Sequence, residues 1–332
     1  MNSPTLAIVL NWNDLDATRR CIRSLISQED ENCDLLLIDN YSEKDPTAII
    51  NAEFPDVHVL RNNKNIGVAS ARNIGIIYAL ENKYEFVLFI DNDAYADNRM
   101  LFKLMESAKS NPSSAIFGPK ILYDDKKNII WRAGCTSWRL TYLFSLPQVL
   151  RHIINCSGKT VPSFLDTKRG EGQVDKGQFD EDRDIDFQIG CVQLIRREVF
   201  ETIGLLDEDY SPYGSEDIDF CARTKKANWG IRYVSGAICY HQAESSFRDE
   251  YERTYNNSKN IILLARKNLS HFSFWFCFYP DFIFLTIPLM FSLFLFKKKH
   301  QRRKALLDAL LWNLNDVSKR GLLLRRELEK TL

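Results

Sequence analysis

Two pairs of carboxylates carry the chemistry that this sequence offers. Asp91 and Asp93 stand one residue apart behind the apolar run FVLFI at 86–90. Two carboxylates on a turn after a strand aim at one divalent cation. Hard oxygen ligands suit Mg2+ or Mn2+, which keep phosphate oxygens in their remaining positions. Glu216 and Asp217 are adjacent in SEDID at 215–219. By themselves they read as the acidic first turn of a capped helix.

The elements that must position these groups follow from the apolar pattern. TLAIVLN at 5–11, LLLID at 35–39, VHVL at 57–60 and FVLFI at 86–90 are apolar runs of strand length. Between them, 15–28 and 67–82 carry helical spacing, and DPTAII opens a short helix with Asp45 as cap before Pro46. The alternation predicts an α/β fold with a mostly parallel, Rossmann-like central sheet covered by helices on both faces. Ligands of such sheets bind beyond the carboxyl ends of the strands. Asn11 and Asn13, Asp39, and Asp91 to Asp93 fall at three of those ends, so one crevice is expected to collect them. AIFGPKIL at 115–122 begins a less regular half, 155–187 reads as a long, polar, exposed loop, and order returns over 188–234.

Composition narrows the class. Lys+Arg is 44 and Asp+Glu is 44, so the chain lacks the net basic field of a nucleic-acid binder. Apolar residues at 45% and charged residues at 27% are those of a folded globular protein. The eight cysteines form no CxxC pair and no zinc spacing. MNSPTLAIVLNWN lacks the basic start and apolar length of a signal peptide, so reduced thiols and a cytoplasmic setting are expected. Cys191 has no activating base beside it, which argues against a thiol nucleophile.

Seven segments then combine in one order. IVLNWN at 8–13, LIDNYS at 37–42, NNKNIGVASARNIG at 62–75 and FIDNDA at 89–94 resemble the nucleotide-binding half of family 2 glycosyltransferases. IGCVQLIRREVFETIGLLDE at 189–208, GSEDIDFCAR at 214–223 and ICYHQAESS at 238–246 resemble the acceptor half. The likeness covers about residues 5–265 and is nearest to the rhamnosyltransferase-like branch. It implies a GT-A fold over 1–265, with a nucleotide-binding half to about 110 and an acceptor half over 111–265. It also implies transfer of a sugar from a dTDP- or UDP-sugar with inversion at the anomeric carbon.

The resemblance assigns roles residue by residue. Asn11 and Asp39 match contacts to base and ribose, with Asp39 accepting from an imide N–H. Asn65, Gly67, Arg72 and Asn73 match the loop and helix start beside the nucleotide, Gly67 permitting close backbone approach. Asp93 matches the direct ligand of Mg2+ or Mn2+, and Asp91 a ribose or metal-water contact. His241 matches a third metal or diphosphate contact, with Ser245 and Ser246 nearby. Gly190 and Cys191 match the small turn where donor sugar and acceptor meet. Asp217 matches the base, with Glu216 tuning it or binding hydroxyls. Asp219 is read as holding the helix start with Arg223 at i+4. Trp12 is left between base stacking and core packing.

The final stretch differs in kind. Residues 272–296 are apolar apart from Asp281, with Pro280 and Pro288 inside, and KKKHQRRK follows at 297–304. Basic flanks on both sides favour a re-entrant or interfacial helix over a simple span. Residues 305–328 read as a basic amphipathic helix. The segment 266–332 is therefore expected to be a membrane-associated appendage on the cytoplasmic face, with a glycan or lipid-linked acceptor. No Q-x-x-R-W follows residue 217, so transfer of one or a few sugars is expected. A sugar nucleotidyltransferase would need a Gly-rich phosphate loop, which LNWNDLDATRR lacks; a non-catalytic sugar-nucleotide-binding module would not need both Asp93 and Asp217.

Overall fold

Alternating apolar positions split each early strand between two cores. The computed structural model of the chain describes residues 4–135, 169–242, 249–268, 274, 301 and 304–316. In β1 (Thr5–Asn11), Ala7 and Val9 pack on one face while Leu6 and Ile8 pack on the other. β2 (Asp34–Asp39) repeats this with Leu35 and Leu37 against Leu36 and Ile38. A strand apolar on both sides must be covered on both sides. Helices α1 (Leu15–Ile26), α2 (Thr47–Glu53) and α4 (Met100–Ser110) contribute to the first core. Helices α3 (Val68–Glu81), α5 (Arg197–Ile203) and α6 (Glu216–Lys226) contribute to the second.

The remaining strands are β3 (His58–Arg61), β4 (Phe86–Asp91), β5 (Ala94–Ala96), β6 (Ser114–Tyr123), β7 (Ile130–Arg132), β8 (Arg183–Asp184), β9 (Val192–Arg196) and β10 (Gly230–His241). The sheet runs β3-β2-β1-β4-β9-β6-β10-β5, with β7 on β6 and β8 on β10. Its first four strands are parallel, as the alternation predicts. Asn11 stands opposite Asp39 and Leu10 opposite Asp91, so three carboxyl ends coincide. The second half departs from a simple parallel order. β9 is antiparallel to both β4 and β6, with Ile90 opposite Val192. An antiparallel strand starts where its parallel neighbours end, which brings Gly190 and Cys191 to the end of β4. The Asp91 N–H donates to the Cys191 carbonyl at 2.9 Å.

The helix starts follow local chemistry. Asp14 caps α1 by accepting from the Ala17 N–H at 3.0 Å. The cap position of α2 is Pro46 rather than Asp45; Asp45 accepts from the Thr47 N–H at 2.9 Å, and the side chain of Thr47 together with that N–H holds its pKa below the usual value. The described part of the long polar loop is anchored. Lys120, buried in β6, pairs with Asp175 at 2.9 Å and with Asp180, and Ile185 and Phe187 enter the core.

The chain divides into two compact units, Met1–Arg139 with Pro162–Ser246, and Leu140–Val161 with Phe247–Leu332. In the second, α7 (Glu250–Asn268) and the helical residues 304–316 are joined by Tyr251 donating to Asp308 at 2.6 Å, the Asn313 amide donating to the Lys259 carbonyl at 3.1 Å, and Arg266 with Asp316. Among the described residues no helix is long and apolar enough to cross a membrane. The run at 272–296 lies outside the described residues apart from Phe274.

Candidate active site

Five strand ends and two helix starts contribute to the site. At the end of β2, Asp39 is fully buried and accepts from the Asn11 amide at 2.7 Å, from Arg61 Nη1 at 2.7 Å, and from the Ser42 hydroxyl at 2.5 Å and N–H at 3.2 Å. Its carboxylate accepts from these protein donors, as a buried carboxylate must. Asn11 is equally occupied: its amide oxygen accepts from Thr18 at 2.8 Å and from Asn92 at 3.3 Å. The pair fixes the floor of the crevice. What remains exposed there is Trp12, at 56%, and Tyr41, at 52%. Trp12 is therefore not a core residue. Ser42 and Arg61 escaped the sequence reading, since nothing local marks a strand-end Arg as the partner of a carboxylate 22 residues back.

Asn40 and Asn65 hold the next loop. The Asn40 amide donates to Asn65 Oδ1 at 3.0 Å, and Asn65 Oδ1 accepts from the Gly67 N–H at 3.0 Å. Gly67 has φ +84°, and a Cβ there would lie 2.6 Å from Ser211 Oγ. The close approach read for Gly67 is thus made by the segment Ser211–Pro212, whose Pro212 carbonyl accepts from the Val68 N–H at 2.8 Å. Asn73 likewise turns to the protein: its amide donates to the Leu206 carbonyl at 3.0 Å and to Glu208 at 2.9 Å, and its oxygen accepts from the Leu206 N–H at 2.9 Å.

Arg72, one residue earlier on α3, points into the carboxylates. It is 4% exposed on its side chain, with Nη2 donating to Asp91 Oδ1 at 2.6 Å and to the Gly190 carbonyl at 2.9 Å. Its Nη1 is 4.0 Å from Glu216 Oε1. The guanidinium joins the two carboxylate pairs. Asp217 accepts from the Gly190 N–H at 2.6 Å and from the Ile218 N–H at 2.8 Å. A Cβ on Gly190 would lie 2.8 Å from Arg72 Nη1 and 3.0 Å from Asp217 Cβ, so a side chain there would push against both. Burial raises Glu216, helped by the charge of Asp217 and opposed by Arg72. Burial also raises Asp217, against the backbone N–H groups of Gly190 and Ile218. Asp219 does hold the helix, accepting from Arg223 at 2.8 Å and from the Tyr210 hydroxyl at 3.2 Å.

The first pair has its own neighbourhood. His241 Nε2, at the end of β10, is 3.2 Å from Asp93 Oδ1. Ligand atoms of Asp91, Cys191 and His241 lie within 4.8 Å of one another. Burial raises Asp91 to about 6, with Asp93 adding to the shift and Arg72 and His241 opposing it. His241 Nδ1 is buried without a hydrogen-bond partner. Leaving such an atom unsatisfied costs about 1–3 kcal/mol. Two crowded carboxylates and an open imidazole nitrogen fit a hard divalent cation. Cys191 is a wall rather than a ligand for such an ion: burial pushes its thiol well above the usual range. Ser245 and Ser246 lie outside the described residues.

A model of glycosyl transferase family 2 matches residues 7–204, well over half of the chain. The chain belongs to this family. The model of an N-terminal domain of galactosyltransferase matches 175–244. The dTDP-rhamnosyl transferase RfbF of Shigella flexneri is 25% identical over 282 residues, covering 81% of this chain and 82% of that protein. A chondroitin synthase of Escherichia coli is 23% identical over 226 residues, 63% of this chain and 30% of that one. The crystal structure of GalNAc-T7 with UDP, GalNAc and Mn2+ superposes with a TM-score of 0.58 at 16% identity, over 93% of this chain. This chain spans 54% of that structure, and the likeness is one of fold. The protein is a rhamnosyltransferase-like family 2 glycosyltransferase with a GT-A-like α/β fold.

Proposed function

We propose that the protein moves a sugar, rhamnose or a close relative, from a dTDP- or UDP-sugar to a hydroxyl of a glycan or lipid-linked acceptor, with inversion. The observation that carries this reading is Arg72, which contacts Asp91 while facing Glu216 and Asp217. One cation thereby sits between an acidic pair suited to a diphosphate-bound metal and an acidic pair suited to a base. Asp91, Asp93 and His241 would hold Mg2+ or Mn2+, which supplies charge neutralisation for a departing diphosphate.

The chain's own residues do the rest. Trp12 and Tyr41 offer exposed rings to the base, over the floor braced by Asn11 and Asp39. Asn65 and Gly67 shape the loop beside the nucleotide. Asp217, its pKa raised by burial, takes the proton of the acceptor hydroxyl on the face opposite the leaving group. The N–H of Gly190 orients that carboxylate, and Glu216 stands beside it on the same helix start. The similarity to RfbF, named a dTDP-rhamnosyl transferase, supports the donor class.

The membrane part of the reading has its own support. Leu307, Leu311 and Leu314 are exposed at 44%, 55% and 42% along one helical face, directly after the basic KKKHQRRK. A leucine stripe beside a basic cluster fits an anionic bilayer surface at the cytoplasmic face. Single-turnover assays with dTDP-, UDP- and GDP-sugars, with the anomeric configuration of the product read by NMR, test the reaction. An inverted product from one nucleotide class supports it. A retained configuration, or hydrolysis alone with every acceptor class, contradicts it.

A further inference from the structure

The metal-facing histidine owes its place to an aromatic ring that the proposed chemistry does not use. Trp131 lies on β7 with its ring centroid 4.2 Å from that of His241, the planes tilted by 40°. Trp131 is half-buried against the core that contains Cys191, Ile121 and Cys239. An imidazole in a metal site is ordinarily held in orientation by the groups packed around it. His241 has Asp93 on Nε2 and no partner on Nδ1. With Nδ1 left open for the ion, the packed Trp131 ring is the contact that limits rotation of the imidazole. Trp131 is itself held. The Arg132 guanidinium lies 4.7 Å from the Trp131 ring centroid, and its Nη1 is 3.1 Å from Glu171 Oε1 and donates to the Trp131 carbonyl at 2.6 Å.

We infer that Trp131 is a positioning residue for the cation site: its ring fixes the His241 imidazole beside Asp91 and Asp93. Arg132 and Glu171 tie this support to the described end of the long polar loop. The inference rests on the proposed metal role of His241. Removing one outer-shell partner of a metal ligand typically weakens metal affinity by about 10–100-fold. The chain Glu171–Arg132–Trp131–His241–Asp93 thus runs from the loop to the acidic pair within one compact unit.

The test is Mn2+ binding to the full chain, followed by loss of the free-ion EPR signal, with no turnover required. Trp131→Leu keeps apolar volume without the ring, and Trp131→Phe keeps a ring. His241→Ala reports on the ligand itself, and circular dichroism confirms folding of each variant. The expected result is that His241→Ala weakens Mn2+ binding, Trp131→Leu weakens it by about 10–100-fold, and Trp131→Phe recovers most of the loss. If Trp131→Leu binds Mn2+ as the parent does while His241→Ala is impaired, the inference fails and the metal reading stands. If His241→Ala also binds as the parent does, the metal role of His241 fails and the inference falls with it. Should Trp131→Leu not fold, Trp131→Phe decides: Mn2+ binding as weak as that of His241→Ala would overturn the aromatic role.

Discussion

Arg72 Nη2 donates to Asp91 Oδ1 at 2.6 Å, and the same nitrogen donates to the Gly190 carbonyl at 2.9 Å. The contact joins the first residue of one acidic pair to the turn that orients the other. It makes the two pairs one electrostatic unit, since Glu216 and Asp217 also act on this guanidinium.

Arg72→Ala should therefore cost stability as well as donor binding. Breaking a buried pair by removing one partner costs about 3–5 kcal/mol. Asp91 keeps 35% exposure of its side chain, so a loss near the low end is expected. Arg72→Lys should recover only part, because an ammonium cannot reproduce the fork that reaches both Asp91 and Gly190. Urea unfolding of the three proteins is the check.

Asp217→Asn should retain nucleotide-sugar and metal binding and slow transfer by about 10²-fold or more, the scale of lost acid–base help. Single-turnover rates at saturating donor measure it. A variant that transfers at the parental rate would remove Asp217 from the role of base.

Glu216 sets a pH dependence of stability. Its carboxyl is raised above the ordinary value of 4.5, chiefly by burial. The native state then holds a proton that the unfolded state has released once the pH passes that ordinary value. Stability contributed by this group is full below the unfolded pKa and declines as pH rises toward the raised folded one. Melting temperatures from pH 4 to 8 should fall across this window, and Glu216→Gln should flatten the fall. An unchanged slope in the variant would assign the dependence elsewhere.

Gly67→Ala should destabilise the protein by about 1–3 kcal/mol. Its φ of +84° disfavours a side chain, and the new Cβ would meet Ser211 Oγ at 2.6 Å. Thermal unfolding of the variant against the parent decides this.

Much of this arrangement was legible in the residues. Apolar runs ending in Asn11, Asp39 and Asp91 placed three groups at one sheet edge, because parallel strands of similar length end together. The acidic pairs were visible as pairs. The direction of β9 was not, because VQLI is apolar in either sense and its antiparallel entry depends on neighbours far away in sequence. The protein partners of Asp39 were not legible, because Ser42 and Arg61 carry no local mark of that role. Nor was the clamp on Asn73, whose partners at 206–208 lie more than 130 residues along the chain. Trp131 was silent because a single aromatic on a short strand resembles any core residue until His241 is found against it.

The central claim is that the crevice between Asp39 and His241 is a metal-dependent donor site. Its most direct test is the thermal stability of the full chain with dTDP-, UDP- and GDP-sugars, each with Mn2+ and with a chelator, since a ligand of the native state raises the melting temperature. The account expects a rise with one nucleotide class that needs Mn2+ and disappears in Asp93→Ala. A rise that survives both the chelator and Asp93→Ala would contradict it.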